Sequence, residues 1–176
     1  MSVSALDDDL VVHPPGRLHW RGRSFACAIG AGGVQSNKRE GDGATPAGRF
    51  PLRRVLYRPD RMAPPRTVLP IAPLDPQDGW CDDPDHPLYN QPLRLPHAAR
   101  HEELWRADHV YDLIVILGHN DAPAVPGLGS AVFLHVAQLD YAPTAGCVAV
   151  AVGDLLTILA GVERQAWLRV PLPGRD

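Results

Sequence analysis

A chain of 176 residues with 45% hydrophobic and 21% charged side chains has the balance of one globular domain with a single substantial core, and not of a disordered or fibrous protein. A net charge of −3 with no basic stripe gives nucleic acid and anionic membranes no electrostatic case as partners. Three widely spaced cysteines, Cys27, Cys81 and Cys147, match neither a disulfide framework nor a zinc knuckle, and no run of eighteen apolar residues exists to span a membrane.

The first sixteen residues hold three aspartates where a secretory signal carries positive charge, and they lack its apolar run. The expected location is therefore the cytosol; a start codon further upstream would restore export and a periplasmic location. Leu10–Val12, Leu18–Trp20 and Phe25–Ile29 read as short strands separated by the turn signals Pro14-Pro15-Gly16 and Arg21-Gly22, which predicts an antiparallel meander. Gly30-Ala31-Gly32-Gly33 fails as a dinucleotide loop because the residues after it are polar and glycine-rich instead of an apolar helix, so it reads as a turn. Phe50–Tyr57 is the next strand. From Arg58 to Pro96 the density of Pro, Asp and Asn predicts a long ordered loop with a binding surface, including Trp80, the solvated turn Asp82-Asp83, and Tyr89-Asn90. His97–Asp108 reads as a short helix anchored by Leu104 and Trp105. Leu113–Leu117 is an unbroken apolar run, as in a strand buried on both faces. It leads to His119, Asn120 and a Pro/Gly loop ending at Ser130. Asp154–Arg164 carries Leu155, Ile158, Leu159 and Val162 at helical spacing, and Trp167–Val170 can close the sheet. With 19 prolines and 16 glycines the overall class is mainly β with a few short peripheral helices.

The chemistry is expected between Ser130 and Val150. Ala131, Phe133 and His135 alternate with Val132, Leu134 and Val136, which sets His135 on one strand face; after a loop, Cys147 precedes the alternating Val148, Val150 and Val152. A thiol needs a base or a cation to become a nucleophile, and His135 is the nearest candidate. Gly146 would let a substrate carbonyl approach the backbone, whose amides can stabilise an oxyanion, so the arrangement describes acyl transfer. Spacing alone leaves open the plainer reading of Cys147 as a small core residue and His135 as a satisfied buried histidine. Cys27, among apolar neighbours, reads as core, and Cys81 reads as a loop thiol disfavoured as thiolate by Asp82 and Asp83. His86, Asp82, His119 and Asp121 match no metal-ligand spacing, so neither a metal nor a cofactor is expected.

Three motifs in order resemble a known family, the L,D-transpeptidase (YkuD-type) catalytic domain: Thr45-Pro46-Ala47-Gly48-Arg49-Phe50 for TPxGxF, His135 for the strand histidine, and Thr144-Ala145-Gly146-Cys147 for [S/T]-x-G-C. Gly79–Asn90 and Pro126–Ser130 are similar to segments of a compact subgroup. The chain departs from many members at Ala145 and Ala149, where histidine and arginine are common, and at Val136, often Gly or Ser; His119 is expected to supply a nearby polar group. The resemblance implies a YkuD-like mixed sheet or β-sandwich over residues 1–176 and a groove ending at Cys147. It also implies attack on the bond between the L-centre of a diamino acid and the terminal D-alanine of a peptidoglycan stem tetrapeptide. Cys147 would be the nucleophile and His135 the proton donor to the leaving D-alanine. The Gly146 and Cys147 amides would hold the oxyanion with Thr144 and Ala145 in support, and Trp80, Asp82, Asp83, Tyr89, Asn90, His119, Asn120 and Ser130 would bind the muropeptide. An amine acceptor makes the protein a transpeptidase, water makes it an L,D-carboxypeptidase, and the alternative without turnover is a peptidoglycan-fragment binding module.

Overall fold

The computed structural model describes residues 8–174, so the first seven residues of the aspartate-bearing N-terminal stretch lie outside the described residues. Strands β1 (Leu10–His13), β2 (Arg17–Trp20) and β3 (Arg23–Ala28) form the antiparallel meander that the turn signals predict. The Gly30–Gly33 turn then meets a return segment, with β4 (Val34–Gln35) and β5 (Thr45–Pro46) as a short parallel ladder. Here glycine is a steric requirement, because a Cβ on Gly30 would lie 2.3 Å from the Gly43 carbonyl oxygen.

The ten-residue strand β6 (Gly48–Tyr57) follows, beginning two residues before the predicted start, and its end pairs in parallel with β7 (Ile71–Pro73). The expected long loop contains further order. β8 (Asp78–Cys81) lies between β9 (Pro92–Arg94) and β10 (His101–Glu103) in a separate three-stranded antiparallel sheet. Cys81 is thus a fully buried strand residue packed near Leu93 and Ala99, not a loop thiol. The predicted helix over His97–Asp108 is also corrected. Its middle is β10, whose ladder to β8 satisfies the backbone, while Leu104 enters a core and the Arg58 guanidinium stacks 3.7 Å from the Trp105 ring. Two apolar anchors at adjacent positions do not make a helical stripe, so tertiary pairing decides.

The remaining elements are β11 (Leu113–Leu117), β12 (Phe133–Val136), β13 (Val148–Val150), α1 (Val152–Gly161) and β14 (Trp167–Val170). Val152 opens α1 instead of extending the strand, and α1 is the one helix among the described residues, fewer than expected. Pairings run β11-β12-β13-β3-β2-β1-β14-β6 and from β6 back to β11, a closed circuit of mixed direction. The length of β6 makes closure possible: Gly48–Pro51 pair with β14 and Leu52–Tyr57 with β11.

Strand alternation divides the interior in two. Leu113, Val115, Leu134, Val136, Val148 and Val150 face the main core, where α1 inserts Leu155, Ile158 and Leu159. Each of those three helix side chains is 0% exposed, worth about 1.5–3 kcal/mol by burial. Ile114, Ile116 and Phe133 face the opposite way, joining Trp80, Leu104, Tyr111 and Cys147 in a second cluster. The central strands are therefore buried on both faces, and the second face carries Cys147.

Candidate active site

β12 and β13 pair in parallel, with Leu134 opposite Val148 and His135 opposite Ala149. Extending that register by one residue places Cys147 beside Phe133, whose N–H donates to Cys147 Sγ at 3.3 Å. The thiol in turn donates to the Ala131 carbonyl at 3.2 Å. The loop between the strands is pinned at Thr144, whose N–H donates to Ile29 O and whose carbonyl accepts from Ala31 N–H, both at 2.9 Å.

Thr144 also braces the turn before the cysteine. Its hydroxyl oxygen accepts from Gly146 N–H at 3.1 Å and its proton goes to Cys147 O at 2.7 Å. Thr45 of the Thr-Pro motif, fully buried, accepts from Gly30 N–H at 2.8 Å and lies 3.5 Å from the same Cys147 carbonyl. Gly146 has φ +136°, and a Cβ there would lie 2.7 Å from Ala44 O. This glycine is required by the protein's own backbone rather than by an approaching substrate carbonyl. Its amide is committed to Thr144, which corrects the expectation of Gly146 N–H as an oxyanion donor. The Ala145 and Cys147 N–H groups make no hydrogen bond to the described residues.

His135 Nδ1 lies 2.9 Å from the Val136 carbonyl, so Nδ1–H donates there and Nε2 is the free acceptor. The ring is thus oriented by the backbone of the very residue whose side chain departs from the family pattern. Tyr111 meets His135 edge-on at 5.2 Å between ring centroids, and the Tyr111 hydroxyl donates to Glu102 Oε1 at 2.5 Å. Burial pushes the His135 pKa down, partly offset by the Val136 carbonyl. Burial, and then the Glu102 charge, push the Cys147 thiol up to about 12, against the Phe133 N–H and Lys38. The resting pair at neutral pH is therefore a thiol and a neutral imidazole.

Cys147, His135, Thr144 and Ala145 line one cavity of about 240 Å³ together with Arg106, Tyr111 and Ala149. A second cavity of about 360 Å³ is lined by Gly146, Ser130, Asp82, Lys38, Glu40 and His101, and Glu102 and Ala145 belong to both. Ser130 and Asp82 line this second cavity. The other predicted binding residues do not. Trp80 packs edge-on against Phe133, Asp83 accepts from Asp85 and Arg100 N–H in its turn, and Tyr89 hydrogen-bonds Glu40. His119 Nε2 is 3.0 Å from Leu128 O and its ring abuts Phe50, so it does not orient His135. Asn120 Nδ2 holds Val125 O and Gly129 O. Asn90 gathers this frame, accepting from Trp80 Nε1 and Ala131 N–H at 3.0 Å each and donating to the His119 and Asn120 carbonyls. These residues hold the Gly129–Ala131 segment against which the thiol rests.

Sequence reasoning missed Glu102, Arg106, Tyr111, Lys38 and Glu40. The first two fall within the supposed helix and pass there as solvated charges. Lys38 and Glu40 flank the Thr-Pro motif in KREGDG, and only their proximity to that motif was a signal. Lys38 is 8% exposed, with Nζ donating to Arg39 O at 2.9 Å and paired with Asp42, whose carboxyl it holds below the usual range against the opposing effect of burial.

A family model for the L,D-transpeptidase catalytic domain, YkuD, matches residues 7–170. The chain belongs to this family, whose function is exercised on peptidoglycan. No curated protein and no solved structure matches the chain. No helix among the described residues is long and apolar enough to cross a membrane, and those residues hold no group of three or more His, Cys, Asp or Glu suited to a metal.

Proposed function

We propose that the chain is a single catalytic domain in which Cys147 forms a thioester with a peptidoglycan stem tetrapeptide, releasing the terminal D-alanine. The observation that carries this is that Cys147, His135 and Ala145 line one cavity, while the Ala145 and Cys147 N–H groups make no hydrogen bond to the described residues. His135 Nε2 takes the thiol proton as sulfur attacks the carbonyl of the diamino acid L-centre. The two free amides stabilise the oxyanion, and the imidazolium returns its proton to the departing amine of D-alanine. Arg106, the cation of this cavity, has its Nε and Nη2 on Asp108 and offers Nη1 to the D-alanine carboxylate in this reading. An amine or water then resolves the thioester.

The test is intact-protein and product mass spectrometry with a disaccharide tetrapeptide. Wild type gains a disaccharide-tripeptide acyl adduct at Cys147 and releases D-alanine; Cys147→Ala does neither. D-alanine release that survives in Cys147→Ala sinks the proposal, and binding without release in wild type favours the non-catalytic binding module.

A further inference from the structure

We infer that Glu102 selects the acceptor, binding the ammonium of an amine nucleophile and taking its proton, so that the thioester passes to an amine in preference to water. This rests on the thioester reading above. Glu102 is the one carboxylate that lines both cavities. Its Oε1 is fixed by the Tyr111 hydroxyl at 2.5 Å, and the Tyr111 ring is held edge-on against His135 and Phe133. Glu102 Oε2 makes no hydrogen bond to the described residues, and neighbouring Arg106 is engaged by Asp108 at 2.9 and 2.6 Å. One oxygen is therefore anchored and the other presented.

The surroundings give that oxygen a cationic guest. Glu40 and Asp82 share the second cavity with Glu102; Asp82 is paired with Arg100 and Glu40 Oε2 accepts from Tyr89 and Ser130, while the cavity's one lysine, Lys38, is committed to Asp42 and the Arg39 carbonyl. His135 and Cys147 do not line this cavity, so a nucleophile arriving through it meets Glu102 first. Glu102 also lines the cavity of Cys147 and His135, so the carboxylate faces the space in which the thioester would form. An amine enters as an ammonium and is no nucleophile until it loses a proton, whereas water carries no charge for the carboxylate to attract. Burial raises the Glu102 pKa and makes it a stronger base than an ordinary carboxylate.

The step balances without a further reagent. The ammonium gives one proton to Glu102 Oε2 and the amine attacks the thioester carbon, forming the C–N bond. The C–S bond breaks as the second nitrogen proton passes to His135 Nε2 and on to the sulfur, restoring the thiol. Glu102 then releases its proton to solvent.

The experiment measures the ratio of amine transfer to hydrolysis by mass spectrometry, with disaccharide tetrapeptide as donor and glycinamide as the amine, alongside the rate of adduct formation at Cys147. Wild type is expected to give mainly the glycinamide product. Glu102→Gln, which keeps an acceptor for Tyr111, is expected to lower the ratio about a hundredfold, the lower end of what a positioned proton acceptor supplies. It acylates no more slowly than wild type, because the charge that raises the thiol pKa is gone. Tyr111→Phe, which frees the carboxylate without removing it, lowers the ratio by a smaller factor and serves as a second variant. An unchanged ratio in both variants overturns the inference, as does hydrolysis alone in wild type. Equal slowing of acylation and transfer would mark Glu102 as structural and also overturn it. Absence of any Cys147 adduct in wild type overturns instead the thioester reading beneath it.

Discussion

Asn90→Ala is the most demanding test of how the site is held. Asn90 is 7% exposed, has φ +56°, and uses its whole side-chain amide: two bonds accepted at 3.0 Å and two donated at 3.0 and 2.8 Å. Removing it leaves two N–H groups and two carbonyls without partners, and at about 1 kcal/mol net per bond the loss is about 4 kcal/mol. Alanine in the left-handed region adds about 1 kcal/mol. The expected total of about 5 kcal/mol approaches the whole stability of a small marginal domain, about 5–15 kcal/mol. At roughly 2–4 °C per kcal/mol for this size, the melting temperature should fall by about 10–20 °C. Urea and thermal unfolding followed by circular dichroism measure both quantities. Asn90→Gly should be milder by about 1 kcal/mol, because glycine carries no left-handed penalty. A loss below about 1.5 kcal/mol for Asn90→Ala would show that the four bonds do not hold the Gly129–Ala131 segment, and the account of the frame would be wrong.

Three further outcomes are expected. Alkylation of Cys147 by iodoacetamide, followed by site-resolved mass spectrometry, should be slow at neutral pH and climb with pH toward the thiol value of about 12; a plateau near pH 9 would contradict the buried, neutral thiol. Gly146→Ala places a Cβ 2.7 Å from Ala44 O at φ +136°, so it should cost about 1–3 kcal/mol in denaturant unfolding and abolish the Cys147 adduct; wild-type behaviour would mean that the turn relaxes freely. His135 has a depressed pKa in the fold, so below about 6.5 the unfolded chain binds more protons than the native one, and native stability contributed by this group is lost as pH falls toward the folded value. The stability of wild type relative to His135→Gln should therefore decline from pH 7 to 5, and a constant difference across that range would refute the neutral buried imidazole.

Local pattern was legible where one interaction dominates. The β1–β3 turns are set by Pro14-Pro15-Gly16 and Arg21-Gly22, the double-sided burial of β11 by Leu113–Leu117, and α1 by its apolar stripe. His135 shares its strand face with Phe133 and Cys147, as the alternation from Ala131 implies. Between Arg58 and Asp108 long-range pairing decides, and it is invisible locally. β10 is held by β8, and Cys81 is buried by Leu93 and Ala99 although two aspartates follow it in sequence. The same blindness affected the site. Trp80, Tyr89, Asn90, His119 and Asn120 carry recognition-type side chains, but they hydrogen-bond to backbone groups, to one another and, for Tyr89, to Glu40. Glu102 reaches the Cys147 cavity because β10 places it there, and Arg106 reaches it from the segment that follows β10.

The pairing of β1 with β14 has a kinetic consequence. Leu10 finds Leu168 and Val11 finds Arg169, so one seam of the circuit joins residues from nearly opposite ends of the described chain. The β2–β3 hairpin can form early, whereas this seam must wait for a loop closure of almost the whole domain, and contacts so distant in sequence slow the search for the native state. Folding in the millisecond-to-second range is expected for such a topology. Until the seam closes, Leu168 and Val170 lack the wall that buries them, and a chaperone or a protease would meet its substrate in that interval.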